Sequence, residues 1–293
     1  MSLSHWLRCQ SVTGCTYTVI FQRYRKEADV NIFLREVKAN LKSLAIWCGI
    51  IILLIFIAVT KFSAFAGDPS MLAILNSMPK ALIDVWSLRA FNLTTLSGFY
   101  GIMFIYFALL GGIAAAMWSS DIISKEERDK TVEFSLVLPV SRSKVITAKA
   151  LTALLNCIVF VLITWGVSLV AVQRYNPDQA FYNFLTLEMV AMFVIELIFL
   201  AIGLLLGCAM KQYKRSGSTA VAIILVTYFM AIISGMEPKL DFLKYFTPFK
   251  YFDAGDLFRS GNLNGVSLLL SAVIIGVCVV AAYLAYNKRD LYI

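Results

Sequence analysis

The chain has 293 residues, of which 60% are hydrophobic and 15% are charged. Soluble domains are about 45–50% apolar and about 25% charged, so this chain has too few charges to solvate a soluble surface. The composition argues against a soluble enzyme, a secreted disulfide scaffold and a disordered chain, and it indicates a multispanning membrane protein. The formal net charge of +8 is then expected from basic flanks of membrane helices, and it gives no evidence for nucleic-acid binding.

Apolar runs long enough to span a membrane, about 20 residues each, occur six times. They predict spans at 44–65, 97–119, 145–172, 187–210, 218–236 and 266–286. An even number of spans places both termini on one side. If that side is the cytoplasm, the inner segments hold 18 of the 26 Lys and Arg residues and the outer segments hold 8. The positive-inside rule therefore predicts an all-α membrane protein with both termini in the cytoplasm.

The residues directly before the first predicted span have an amphipathic pattern. Phe33, Val37 and Leu41 recur at helical spacing, and basic residues that include Arg35 lie on the opposite face. This pattern predicts a helix over 32–44 that lies on the inner leaflet, with its basic side chains near the lipid phosphates.

Residues 1–29 differ from the rest of the chain and show no clear helical period. The codons for residues 26–30 can form a ribosome-binding sequence that is followed by an alternative start codon. We therefore hypothesise that translation starts at Val30 and that residues 1–29 are an extension or an artefact of start-site assignment, which leaves a transmembrane domain over 30–293. A genuine flexible tail is the alternative, and peptides from residues 1–29 in the native protein would exclude a start at Val30.

Small residues cluster in two of the predicted spans. The second span contains Gly111, Gly112 and the run 114–116 of alanines, and the fourth contains Gly203 and Gly207 at GxxxG spacing. Such runs allow the backbones of membrane helices to approach closely. We therefore expect these two helices to be sites of close helix packing.

Two carboxylates lie in the fourth predicted span. Glu188 is placed near its outer end, where an interfacial carboxylate is tolerated, whereas Glu196 lies about two turns deeper, where a carboxylate is costly unless it is paired or hydrated. Glu196 is either a cation- or proton-contacting group of a translocation pathway, with Asn156 as a second polar candidate, or a structural carboxylate. In the structural case it would bond a polar side chain of another span, such as Asn156, Thr164 or Ser168.

Recognisable catalytic and nucleotide-binding motifs are absent from the sequence. It contains no GxxxxGK[ST] loop for ATP, no HExxH and no GxSxG, and His5 is its only histidine. Four of the six cysteines lie inside apolar runs without CxxC spacing, which indicates packed thiols. We therefore predict no catalytic site, no metal site and no cofactor on this chain, so that a partner or an ion gradient must supply the energy for transport.

The connection between the second and third predicted spans is the most informative cytoplasmic segment. Its charged half, 125–130, leads into a short apolar stretch that ends at Pro139, and Ser141 is placed to cap the next helix. This pattern predicts a short helix over 124–138, held against the membrane by two long spans. Residue types alone leave open whether it is a docking element or a solvated loop.

The outer segment 237–265 is rich in aromatic residues, with Lys244 and Lys250 interleaved. Its outer location favours an interfacial aromatic belt or a re-entrant gate over a nucleic-acid surface.

Several motifs occur together in a fixed order along this topology. After the second span they are Glu126-Glu127, Lys130-Thr131-Val132-Glu133-Phe134, Leu138-Pro139-Val140-Ser141-Arg142 and Lys149, and elsewhere they are 32–36, 77–81 and 248–252. Over residues 30–293 the chain resembles ABC-2 type transporter permeases, in particular the six-span branch with bacterial multidrug, bacteriocin-immunity and ion exporters. It departs from the pattern at Lys130, where many relatives have Gly, and at Ser135, where Leu is common.

The resemblance implies the permease subunit of an ATP-driven efflux system in the bacterial plasma membrane. Such a permease pairs as a homodimer or with a related second permease, contacts membrane lipid, and couples to separate ATP-binding subunits that hold ATP and Mg. The segment 124–138 would be the coupling helix seated in the ATPase, and 32–44 would be the connecting helix. The implied coupling residues are Glu126, Glu127, Thr131, Glu133, Phe134, Leu136, Pro139, Ser141 and Arg142. The implied connecting-helix residues are Phe33, Arg35, Glu36, Val37 and Leu41.

Two rival functions belong to other classes. An ion-coupled secondary transporter would use Glu196 as its carrier, and inverted repeats with broken helices would be expected, but the sequence shows no convincing repeat. An integral membrane enzyme or assembly factor is disfavoured because His, Asp and Ser residues are not clustered. Co-purification of an ATPase that depends on 124–138 distinguishes the permease from both rivals.

Overall fold

The computed structural model describes residues 3–66, 77, 93–128, 141–210, 212–236 and 238–288, and this part of the chain is helical, without strands. The α-helices are α1 Leu3–Phe65, α2 Leu96–Arg128, α3 Arg142–Val172, α4 Gln179–Ala209, α5 Tyr213–Met236, α6 Pro248–Tyr251, α7 Ala254–Ser260 and α8 Gly265–Lys288. Two 3-10 helices, Gln173–Tyr175 and Pro238–Phe246, follow α3 and α5. Helices α1 to α5 and α8 are each long and apolar enough to cross a membrane, which confirms the all-helical six-span fold.

Helix α4 lies at the centre of the bundle. It packs most extensively along α2 and also contacts α3, α5 and α8, whereas α1 packs mainly on α3. Phe199 of α4 is completely buried in a core that includes Phe107 of α2 and Phe160 of α3. A helix that is surrounded by other helices must be apolar on every side, which explains the almost continuous apolar run in the sequence of α4.

The small residues of α2 and α4 lie against each other, as the sequence predicts. A Cβ atom added to Gly203 would lie 2.5 Å from the carbonyl oxygen of Ala116, and one added to Gly207 would lie 3.1 Å from that of Ser120. Farther toward the outer end, a Cβ atom on Gly112 would lie 2.8 Å from the ring of Phe199. The two helices therefore approach so closely that only glycine fits at Gly203 without a backbone shift.

Helix α4 begins eight residues before its predicted span, which started at residue 187. Asn176 has a left-handed backbone (φ 46°) that ends the preceding 3-10 helix, and Asp178 then caps α4 by accepting a hydrogen bond from the Phe181 backbone N–H at 2.9 Å. Hydropathy identifies the part of a helix that fits the bilayer, whereas the capping residue determines where the helix starts. Glu188 consequently lies nine residues after the start of α4, and its side chain is buried among the helices.

Helix α1 is continuous from Leu3 to Phe65, so the predicted amphipathic helix over 32–44 is helical but is not a separate element. No proline occurs within α1 to break the helix. Leu41 is 51% exposed and so remains available to lipid, as predicted for the apolar face, whereas Glu36 is buried against the bundle. Residues 3–29, in which the sequence shows no helical period, belong to this same helix.

The outer segment between α5 and α8 divides into an exposed half and an inward-facing half. Phe242, Tyr245 and Phe246 of the 3-10 helix are more than half exposed. Phe249 of α6 is buried instead, and its ring centroid lies 5.3 Å from that of Phe199 on α4. The chain therefore turns back toward the bundle at α6, whereas the aromatic residues of the 3-10 helix stay on its surface. The aromatic belt and the re-entrant gate both remain predictions.

Candidate functional site

The predicted coupling segment follows directly from α2. This helix continues past the predicted end of its span at residue 119 to Arg128, so that Glu126 and Glu127 extend the spanning helix. Residues 129–140 lie outside the described residues, and with them the predicted coupling residues Thr131, Glu133, Phe134, Leu136 and Pro139.

Helix α3 begins where the sequence predicts. Ser141 occupies the N-cap position, and its backbone oxygen accepts a hydrogen bond from the Lys144 N–H at 3.0 Å, but its hydroxyl makes no capping bond. Arg142 donates a hydrogen bond to the backbone oxygen of Asn287 on α8 at 3.5 Å. One predicted coupling residue therefore connects the start of α3 to the last turn of α8.

Polar side chains join the inner ends of the helices around the start of this segment. Trp118 Nε1 donates to Ser43 Oγ at 3.1 Å and links α2 to α1. Ser124 Oγ lies 3.0 Å from Ser216 Oγ and links α2 to α5. With the bond from Lys149 of α3 to Ile122, these bonds connect this part of α2 to helices α1, α3 and α5.

Lys149 supplies the third of these links. Its side chain is buried, and its Nζ donates to the backbone oxygen of Ile122 at 2.8 Å. The sequence indicates Lys149 only as part of a family motif. The Ser124–Ser216 pair could not be predicted, because an isolated serine in a polar stretch does not indicate its partner.

Glu196 is the deeper of the two carboxylates on α4, and its side chain is completely buried. It lies over Gly111, where an added Cβ atom would be 2.5 Å from Glu196 Oε1. The thiol of Cys157 on α3 lies beside this carboxylate and that of Cys48 on α1 lies within electrostatic range, yet neither carboxylate oxygen has a hydrogen-bond partner. A methyl group at Gly111 would displace the ends of the Glu196 and Met192 side chains, so the glycine leaves the carboxyl group its present position against α2.

The hydrogen bond expected between Glu196 and a polar side chain of another span is not formed. The hydroxyl of Thr164 donates to the backbone oxygen of Phe160 at 2.8 Å, and Ser168 lies near Tyr100 of α2 instead. Asn156, the second predicted pathway residue, is buried, and its amide nitrogen has no hydrogen-bond partner.

Glu188 is also completely buried. It lies near the hydroxyl of Tyr100, which in turn lies near Ser168 on α3. None of these three side chains has a hydrogen bond that satisfies its buried oxygen atoms. Glu188, Tyr100 and Ser168 are therefore three buried polar side chains in this part of the bundle, and the burial of Tyr100 beside them could not be predicted from the sequence.

Two cavities open along the contact between α2 and α5. At the outer side, a cavity of about 160 Å³ lies under α6 and α7 and is lined by Tyr106, Tyr228 and Phe249, among others. At the inner side, a groove of about 590 Å³ is lined by residues that include Asp121, Ser124 and Lys214. Among the described residues, no group of three His, Cys, Asp or Glu side chains is placed to hold a metal ion.

The family of the chain is shown by comparison with known proteins. A sequence model of the family described as "ABC-2 family transporter protein" matches residues 30–291. A search of curated protein sequences found no match. The match covers most of the chain, and the fold agrees with it: six helices can span a membrane, and the inner ends of the helices are tied together. The chain therefore belongs to the ABC-2 transporter family, as a multi-pass membrane permease.

Proposed function

We propose that this chain is the permease subunit of an ATP-driven exporter that moves its substrate outward across a bacterial plasma membrane. Family membership over residues 30–291 carries this proposal. The chain has no P-loop, so the ATP and Mg that drive transport belong to separate ATP-binding subunits. This chain supplies the translocation pathway and no catalytic residue.

The proposed orientation has both termini in the cytoplasm. The excess of Lys and Arg in the inner segments, 18 against 8, supports it. In this orientation Arg128 at the end of α2, Arg142 at the start of α3 and Lys288 at the end of α8 all lie on the cytoplasmic side, where an ATPase is available.

The segment 124–138 is proposed as the coupling helix that sits in the ATPase. Glu126, Glu127 and Glu133 would face basic rims of the ATPase groove, and Phe134 and Leu136 would fill it. The bonds of Trp118, Ser124 and Lys149 support this role, because they tie the inner part of α2 to its neighbours. A push on the segment would therefore move several helices together.

The inner part of α1 is proposed as a second contact with the ATPase and with lipid headgroups. Arg35 and Leu41 point outward from the bundle. The side chain of Arg35 is 58% exposed, and Leu41 is 51% exposed. Both are accessible to a protein or lipid partner, with Phe33 and Val37 partly buried beside them. Glu36 is buried, so it supports the helix from within and is not itself a docking residue.

The translocation pathway is proposed to form between two copies of this permease, or between it and a related second permease. Its residues would include Glu196 and Asn156, which are both closed off from solvent in this arrangement. They would meet a substrate only after the helices rearrange. The outer cavity and the inner groove along α2 and α5 are the places from which such an opening can begin.

The proposal is tested by co-expressing the full-length chain with the ATPase encoded beside it and measuring the ATPase that co-purifies. Loss of a buried aromatic anchor costs at least about 2 kcal/mol, so Phe134→Ala is expected to weaken ATPase binding more than about tenfold. Phe246→Ala is the matched control, since Phe246 is 65% exposed in the outer segment, and it should leave ATPase binding unchanged.

The opposite results would end the proposal. Transport by the chain alone in ATP-free vesicles, driven by an ion gradient, would identify it as a secondary transporter. Undiminished ATPase binding after replacement of the whole segment 124–138 would show that coupling does not occur there.

A further inference from the structure

Helix α4 buries two carboxyl groups that coupling to an ATPase does not require. Glu188 and Glu196 have no exposed surface, and their four carboxylate oxygens have no hydrogen-bond partner. Eight residues separate them, which places them about 12 Å apart along the helix axis. They are thus two separate sites, since this distance is too long for one proton or one ion to be shared.

Basic residues do not compensate these carboxyl groups within the described part of the chain. Lys149 donates to the backbone oxygen of Ile122 near the inner end of the bundle. Arg174 donates to the backbone oxygen of Val59 and to the Tyr175 hydroxyl after the outer end of α3. The ion pairs among the described residues involve neither Glu188 nor Glu196.

The groups that face Glu196 are weakly polar. From α1 it meets Cys48, from α3 it meets Cys157, and from α2 it meets the backbone at Gly111. A thiol is a weak hydrogen-bond donor and does not replace the hydration of a carboxylate.

The Tyr100 hydroxyl on α2 lies within electrostatic range of Glu188, and the Ser168 hydroxyl on α3 lies beside that of Tyr100. Both hydroxyls are buried and have no partner that satisfies them, so they are available to a carboxyl group. Helices α5 and α8 also pack against α4, and their described residues bring no charged group to either carboxyl.

Four charged residues of the outer segment, which also packs on α4, are paired with one another. Lys250 bonds Asp253 at 2.5 Å, and Arg259 bonds Asp256 at 2.7 Å. They are therefore not counter-ions for the carboxyl groups of α4.

An ionised carboxylate that is buried without a partner is so unfavourable that such a group neutralises instead. A metal ion is not the neutralising group, because the described residues offer no set of three acidic, Cys or His ligands. We propose that Glu188 and Glu196 are internal proton-binding sites. Each carboxylate forms an O–H bond with one proton while the helices are packed as in this structure, and it releases that proton when water enters the bundle.

The consequence for transport rests on the proposed permease function. A pathway that opens between the helices would hydrate the carboxyl groups and release their protons. Acid would then favour the packed arrangement, and alkaline conditions would favour the hydrated one. Each proton released changes the ratio of the two states by at most about tenfold per pH unit.

The test is the infrared carbonyl band of protonated carboxylic acids, measured on the purified full-length chain in lipid nanodiscs at neutral pH. Glu188→Gln and Glu196→Gln are each expected to remove part of this band. Asp256→Asn is the control and should leave it unchanged, because Asp256 is exposed and paired with Arg259. An unchanged band in both Gln variants would overturn the proposal, and so would loss of the wild-type band on addition of sodium or potassium, which would identify a bound cation.

If a Gln variant does not fold, the wild-type chain decides the question. Dicyclohexylcarbodiimide is apolar and reacts with protonated carboxyl groups, which transfer their proton to its nitrogen and add an oxygen to its central carbon. Mass spectrometry at neutral pH should therefore find it attached to Glu188 or Glu196. Absence of the adduct from both residues would overturn the proposal. These measurements need no ATPase, so they fail or succeed independently of the permease assignment, which the co-purification experiment tests.

Discussion

The close contact between α2 and α4 makes a specific prediction for Gly203. Replacing Gly203 by alanine places a methyl group 2.5 Å from the carbonyl oxygen of Ala116 and 2.9 Å from its Cα atom. Ordinary contacts of this kind are about 3.5–4.0 Å long, so the two helices must separate by about 1 Å. A gap of 0.5–1 Å already removes about a quarter to a half of the dispersion energy of the atoms that face it.

The expected cost of Gly203→Ala follows from this displacement. Overpacking costs about 1–3 kcal/mol, and the better helix propensity of alanine returns up to about 1 kcal/mol. The free energy of unfolding should therefore fall by about 0–2 kcal/mol, and by about 1–3 kcal/mol relative to a glycine-to-alanine change that meets open space. Gly276→Ala on α8 is the matched control, because a Cβ atom there has no neighbour within 4 Å, and it should be neutral or stabilising by up to about 1 kcal/mol.

The assay is reversible unfolding of the full-length chain in mixed micelles, followed by tryptophan fluorescence. Gly166→Ala on α3 serves as a second control, since its added methyl group also meets open space. If Gly203→Ala proves as stable as the two controls, the helices are not in the close contact described here, and the packing argument fails.

Two further substitutions test the inner and outer ends of the bundle in the same assay. Lys149→Met removes the charged donor to Ile122 and should lower the free energy of unfolding by about 1.5–3 kcal/mol. Lys288→Met is the control and should change it little, because Lys288 is exposed. Equal effects of the two substitutions would contradict the role of the buried amine. Phe249→Ala leaves a cavity next to Phe199 and should lower the free energy of unfolding by about 3–5 kcal/mol. Phe246→Ala is the control and should change it by no more than about 0.5 kcal/mol, because Phe246 is 65% exposed. A neutral effect of Phe249→Ala would show that α6 does not pack in the bundle.

The sequence predicts the six spans because the bilayer requires long apolar runs, whatever their neighbours are. It also predicts close packing at α2 and at α4, since Gly203 and Gly207 at helical spacing allow a neighbouring backbone to approach, but it does not predict that these two helices are each other's partners. Both predictions depend on properties that one helix carries by itself.

Properties that depend on two helices could not be predicted in this way. The burial of Glu188 depends on the helices that surround α4, and the hydropathy of α4 alone does not reveal it. The burial of Glu36 likewise depends on the packing of α1, and the amphipathic pattern of 32–44 does not reveal it. The partners of Ser124 and Lys149 are likewise set by tertiary contacts.

The length of α2 gives its contact with α4 a mechanical consequence. Its 33 residues span about 50 Å at 1.5 Å per residue, from Arg128 to Leu96, and it also contacts α7. Because glycines hold its backbone against α4, the helix resists bending there. If the end of α2 at Arg128 is tilted, the helix moves as a rigid body and its other end at Leu96 is displaced as well. No change in bonding between the two ends is needed for this movement.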